Sequence, residues 1–171
     1  MSLDKQDHTR LTLWAVDCAE HVLAHFEAAR PDDDRPRKAL AAGRAWARGE
    51  ITMSEARTAA FASHAAAREA GQAAARAAAR AAGHAAATAH VPSHAQHAAG
   101  YAVTAATHAG SIASAPAGKA AVYAVEHTDA GAAERAWQRE HLPEHLRTVA
   151  FPEKPEKTEK PGKGENGTPR G

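Results

Sequence analysis

"ARAAGHAAATAHVPSHAQHAAGYA", Ala79 to Ala102, decides the fold. Alanine is the strongest helix former and loses no side-chain entropy on folding. Pro92 lacks an N–H and cannot sit inside a helix. The stretch therefore predicts two helices meeting at a corner, over about 72–90 and 93–108. His84 belongs to the first, His90 to the corner, and His94 and His97 to the second.

The first helix carries Gln72, Arg76, Arg80, His84 and Thr88 at steps of four, which makes one polar stripe. Two readings fit it. It is a solvated face, or it is the wall of a pocket or partner surface, because Arg and His are well-placed donors. Gly83 would permit one very close helix approach. In the second helix His94, His97, Tyr101 and His108 share a face.

Working outward, "RLTLWAVDCAEHVLAHFEAAR" (10–30) places Trp14, Cys18, Val22 and Phe26 four residues apart, a buried seam. Asp17, His21 and His25 run beside it, and Asp17–His21 could form an i,i+4 pair. Pro31 ends this helix. "PDDDRP" offers an Asp for an N-cap and Pro36 for a first turn, and the next helix stops at Gly49. Thr52 and Glu55 form a T-x-x-E capping box that opens a helix carrying Phe61 and His64, which weakens near Gly71. "AGSIASAPAG" (109–118) reads as loop and "KAAVYAVEH" (119–127) as a short helix. Residues 131–147 form a last helix interrupted at Pro143. The Pro/Gly/Lys/Glu-rich segment from Pro152 onward cannot bury a core and reads as a disordered tail.

The expected fold is all-α: a compact bundle of about six to seven helices over residues 8–150, with a disordered tail over 151–171. Hydrophobic residues are 44% of the 171, most of them alanine. Leu, Ile, Val and Phe are only about a tenth of the chain, a level that usually signals disorder. The net charge of +1 and the helix propensity of alanine argue the other way. Helices should approach closely with methyl groups at the contacts. The few large residues, Trp14, Phe26, Trp46, Phe61, Tyr101, Tyr123 and Trp137, are expected to carry most of the core.

Cys18 is the single cysteine, so an intramolecular disulfide is impossible and a reducing cytoplasm is the expectation. "MSLDKQDHTR" lacks an apolar signal core, and no long run of large apolar residues suggests a membrane span. Balanced charge gives no reason to expect nucleic acid. Histidines four apart can ligate zinc, with Asp17 as a further ligand, but H-E-x-x-H, C-x-x-C and clustered carboxylates are all missing. No metal or other cofactor is expected. Cys18 sits in a packing seam, and a reactive thiol needs exposure. No nucleophile elbow or phosphate loop is present, so the chain is read as a non-enzyme.

Several long segments together carry a resemblance: "LTLWAVDCAEHVL", "RPDDDRPRKALAAGRAWARGEITMSEAR", "AAFASHAAAREA", the opening stretch, and "ERAWQREHLPEHLR". Over about residues 10–148 the chain resembles the bacterial putative immunity protein family with the Imm-five-like domain. It departs from that pattern at "EAGQAAARAAAR", where members carry an acidic, proline-containing break. The resemblance implies a small cytoplasmic helical protein that binds and neutralises a cognate toxin. Among the positions matching its motifs, packing and backbone explain the tryptophans, Gly83 and Pro36. Asp17, Arg57, His64, His84, His90 and His94 are harder to explain by folding and are the candidate binding residues. The alternative is a small-ligand- or metal-binding helical protein with a His/Asp-lined pocket, or an unrecognised enzyme. Its pocket would lie between the helices of 10–30, 72–90 and 93–108, lined by Asp17 and the histidines.

Overall fold

The computed structural model describes residues 3–113 and 130–152, and every regular element among them is helical. The order is α1 (Lys5–His21), α2 (Ala24–Ala29), α3 (Arg35–Ala47), α4 (Met53–Glu69), α5 (Ala73–Ala87), α6 (His94–Ala113), α7 (Ala130–Glu140) and α8 (Arg147–Ala150), with a 3-10 turn over Glu144–Leu146. Tyr123, the 119–127 segment and the tail from residue 153 lie outside the described residues.

The local signals act as their chemistry demands. Asp4 caps α1 by accepting the Asp7 N–H at 2.7 Å. The Thr52/Glu55 capping box is closed in both directions. Asp33 accepts the Arg35 N–H beside the Pro36 turn, and Gly49 takes a φ of +76° where α3 ends. Several boundaries differ from expectation: α1 starts at Lys5 rather than residue 10, and the 131–147 helix ends at Glu140 and resumes only as the 3-10 turn and α8. The 10–30 helix breaks at Val22–Leu23, where the hydrogen bonds tighten to i−3. Val22 and Leu23 are both buried at this break. The α6 helix continues through Ala113 instead of ending near His108, because "AGSIA" contains no breaker strong enough to stop it.

The α5 helix is the axle of the bundle. Its alanines at 75, 78, 79, 81, 82, 85 and 86 are fully buried, and α1, α2, α3, α4 and α6 all pack on it. Each methyl buries little area, so the gain comes from many close contacts between helix backbones. Gly43 allows one such approach: a Cβ there would stand 2.7 Å from Val16 Cγ2. The buried Ser63 hydroxyl donates to the Ala79 carbonyl at 2.8 Å and pins α4 to α5. At the other end Trp14 donates from Nε1 to the Gln138 carbonyl at 2.9 Å and meets Phe151 edge-on.

The large residues divide. Trp14, Cys18, Val22 and Phe26 form the buried seam as expected. Trp46, Tyr101 and Trp137 are half-buried. Phe61, expected in the core, is 59% exposed.

Candidate functional site

Five of the six candidate residues gather where α4 faces the α5–α6 corner. Arg57 and His64 stand on α4, one and three turns into it. His84 is near the end of α5, His90 is in the corner, and His94 opens α6. Arg57, His64, His90 and His94, with Phe61, Ala60 and Ala87, line a cleft of about 260 Å³. His84 lies behind it.

Gly83 makes the arrangement possible. A Cβ at that position would fall 2.6–2.9 Å from the ring atoms of His64. The missing side chain of α5 is the seat of the α4 imidazole. The expected close approach is thus a ring against backbone. His64 meets His84 edge-on at 4.8 Å between centroids. His84 Nδ1 faces His94 Nδ1 at 3.1 Å, so one nitrogen donates its proton to the other. On its other side His84 stacks on Tyr101, at 5.4 Å and 9°. The Arg80 guanidinium lies over the Tyr101 ring at 5.5 Å and donates to its hydroxyl at 3.3 Å. At the mouth, His90 Nδ1 is 3.2 Å from Met53 Sδ, and the Arg57 guanidinium covers the exposed Phe61 ring at 5.4 Å.

Three of these imidazoles, His64, His84 and His94, are shifted toward the neutral form. Burial pushes the pKa of His84 down to about 3, assisted by the neighbouring His64, His94, His97 and Arg80. Burial lowers His64 as well, with His94, Arg80 and Arg68 adding repulsion. His94 is lowered by burial and by His97 and His90. The polar stripe of α5 is accordingly mixed: Arg76 is solvated, Arg80 and His84 are half-buried, and Thr88 is fully buried.

Asp17 does not belong to this site. It is exposed on α1, 3.3 Å from Arg44, which also binds Glu20. It lines a separate depression with Glu20, His21, Trp137 and His141. The expected pocket between the helices of 10–30, 72–90 and 93–108 is replaced by a cleft whose outer wall is α4. The Asp17–His21 pair is not formed either. His21 Nδ1 meets the buried Glu134 carboxylate at 2.6 Å and stacks on Trp137, whose ring also stacks on His141. Glu134 is nearly solvent-free and so competes better for the imidazole than the exposed Asp17 does.

Three contributors escaped the sequence reading: Phe61 and Met53 as the exposed rim, and Gly83 as a ring seat. A signal for Phe61 was present. Arg57, Phe61 and His64 follow i, i+4, i+7, one position beyond the buried register of Ala56, Ala60, Ser63 and Ala67. Among the described residues no three His, Cys, Asp or Glu side chains group as a metal could require, and no helix is long and apolar enough to cross a membrane.

No curated protein and no solved structure matches the chain. The family model described as "Imm-5 like putative immunity protein" matches residues 1–145, which takes in α1 through α7 and the whole cleft. The chain belongs to that family.

Proposed function

We propose that this chain is a non-catalytic binding protein of the bacterial cytoplasm that neutralises a cognate toxin, and that it grips the toxin with α4 and the α5–α6 corner. The Arg57–Phe61 pair carries the reading. A chain with only three phenylalanines and an alanine core has few large apolar groups to spare, yet it leaves Phe61 59% exposed. Arg57 lies over that ring and meets no carboxylate among the described residues. Exposed aromatic and arginine side chains are where interface binding energy concentrates. Met53, 43% exposed, extends the apolar rim. A stable complex would bury roughly 800 Å² of this face.

The non-catalytic part rests on two observations. Cys18 is buried and its thiol is pushed upward by burial and by Glu134 and Asp17, so it stays protonated. The cleft imidazoles have one another and Met53 as partners, and among the described residues no carboxylate orients any of them as a base. The cleft, about 260 Å³ and open to solvent, has room for a protruding side chain of a partner.

The test is growth rescue. Toxin domains encoded beside the gene are expressed in a sensitive bacterium with the chain or its variants. Wild type should restore growth, and the Phe61→Ala/Arg57→Glu double variant should not. Undiminished rescue by that variant would move the interface elsewhere. Failure to rescue or bind any such domain would remove the neutralisation reading.

A further inference from the structure

We propose that the cleft receives a carboxylate from the partner protein, an Asp or Glu side chain, with Arg57 as the standing cation and His94 as a second cation that forms on binding. The proposal rests on the partner-binding reading, but its chemistry can be tested without the partner.

Charge is segregated along this chain. The five arginines from Arg30 to Arg48 each meet a carboxylate. On α4 and α5 none of Arg57, Arg68, Arg76 and Arg80 does so among the described residues. The sequence contains no Asp or Glu at all between Glu69 and Glu126, so α5, the corner and α6 are entirely without acid. The cleft is therefore a place where negative charge is missing, and a low-dielectric wall magnifies that imbalance.

The ring geometry says which histidine responds. His94 and His84 share one proton between their Nδ1 atoms, which leaves Nε2 of His94 as the nitrogen available to the cleft it lines. In the neutral ring only one nitrogen donates. One proton taken from solvent lets His94 donate from Nδ1 to His84 and from Nε2 to an incoming oxygen. His84 then serves as acceptor and positions the ring. Among the described residues the groups around His94 are neutral or cationic: His84 across the Nδ1 contact, His97 on its own helix, His90 from the corner, and His64 and Arg57 across the cleft, with Arg80 and Tyr101 against His84 and Arg68 near His64. Beyond His97, α7 presents Arg135 and Arg139. The proton is therefore disfavoured until an anion arrives.

A carboxylate suits the cleft better than a phosphate. One guanidinium offers a bidentate fork to a planar carboxylate, whereas a phosphate dianion calls for more standing positive charge. The cleft, about 260 Å³, has room for a carboxylate on a short methylene arm. Ala60, Ala87 and Phe61 supply apolar walls for that arm.

The experiment titrates the full chain with N-acetylglutamate amide, and separately with inorganic phosphate at matched ionic strength, at pH 6 and pH 8. Histidine ring NMR signals report binding. The glutamate probe should move the His94 and His64 signals, with a Kd about fivefold to tenfold lower at pH 6. Arg57→Gln should weaken binding about tenfold at both pH values. His94→Gln and His94→Phe, each checked for native helicity, should abolish the pH dependence. The proposal is overturned if no ring signal moves at either pH, if binding is pH-independent in wild type, or if phosphate binds more tightly than the glutamate probe. A chain that binds the probe but rescues no toxin keeps the site and loses the partner reading. A chain that rescues a toxin but ignores the probe loses only the site.

Discussion

The Nδ1 atoms of His84 and His94 face each other at 3.1 Å, with the His64 ring packed edge-on against His84. Three partly buried imidazoles in contact disfavour the protonated form in the folded chain. The pKa of His84 falls from 6.5 unfolded to about 3 folded, and His64 and His94 move in the same direction. Between those values the unfolded chain binds more protons than the folded one, so stability is full above pH 6.5 and declines as pH falls toward 3. One such group contributes a slope of up to about 1.4 kcal/mol per pH unit. The carboxylates held below their ordinary values, Asp33 among them, add the same sign only at lower pH. Thermal melts from pH 7.5 to pH 5 should therefore show Tm falling from about pH 6.5 downward. His84→Gln should flatten that decline, and an unchanged decline would show that other groups cause it.

Gly83→Ala probes the seat of His64. The new Cβ would stand 2.6–2.9 Å from the imidazole, so the ring must leave. The expected cost is about 1–3 kcal/mol, as for overpacking. His64→Ala removes the obstacle, and the Gly83→Ala/His64→Ala double variant should recover most of the loss. Denaturant unfolding of the four proteins in the cycle measures the coupling. Additive losses would mean that the ring and the glycine do not share this space.

Phe61→Ala separates binding from folding. A side chain 59% exposed stabilises little, and the change should stay within about 0.5 kcal/mol of wild type. A loss of several kcal/mol would return Phe61 to the core. The same residue shows how much the sequence disclosed. The all-helical class and the breaks at Pro31, Gly49 and Pro92 were legible because proline and glycine act locally, and so was the seam of Trp14, Cys18, Val22 and Phe26; the eight α-helices among the described residues exceed the six to seven expected, in part because 10–30 is split in two. The histidine gathering was half legible: spacing put His94 with His97 and His84 with Arg80. Which helix would wall the cleft was decided by α4–α5 packing through Gly83 and Ser63, a long-range outcome. Asp17 was misplaced for the same reason. Its neighbours along α1 were visible, but Arg44 on α3 and Glu134 on α7 reassigned the partners.

Trp14 anchors the N-terminal helix to the far end of the described chain. It is 4% exposed, donates to the Gln138 carbonyl and meets Phe151 at 5.7 Å. Trp14→Ala should cost about 3–5 kcal/mol. Trp14→Phe keeps an aromatic ring but drops the donor and should cost less, about 1–3 kcal/mol, for the buried carbonyl left unpaired. Equal losses from the two variants would show that the hydrogen bond, not the packing, dominates.

His21 and Glu134 clamp α7 onto α1. Glu134 is nearly solvent-free, and its two oxygens are divided between His21 at 2.6 Å and the Gln138 amide at 2.8 Å. His21→Ala removes one of these donors and one of the two imidazoles stacked on Trp137. The carboxylate would then keep the Gln138 amide as its remaining side-chain partner, in a place that water reaches poorly. Because the His21 side chain is itself 48% exposed, solvent softens the loss, and a cost of about 1–2 kcal/mol is expected. Adding Glu134→Gln neutralises the stranded charge while preserving shape. The double variant should therefore be more stable than His21→Ala alone, even though a second native residue has been removed. Hydrogen exchange should place the loosening in α7, with α5 amides unaffected. If the double variant were instead the less stable of the two, Glu134 would be contributing through packing or through Gln138 rather than through its contact with His21.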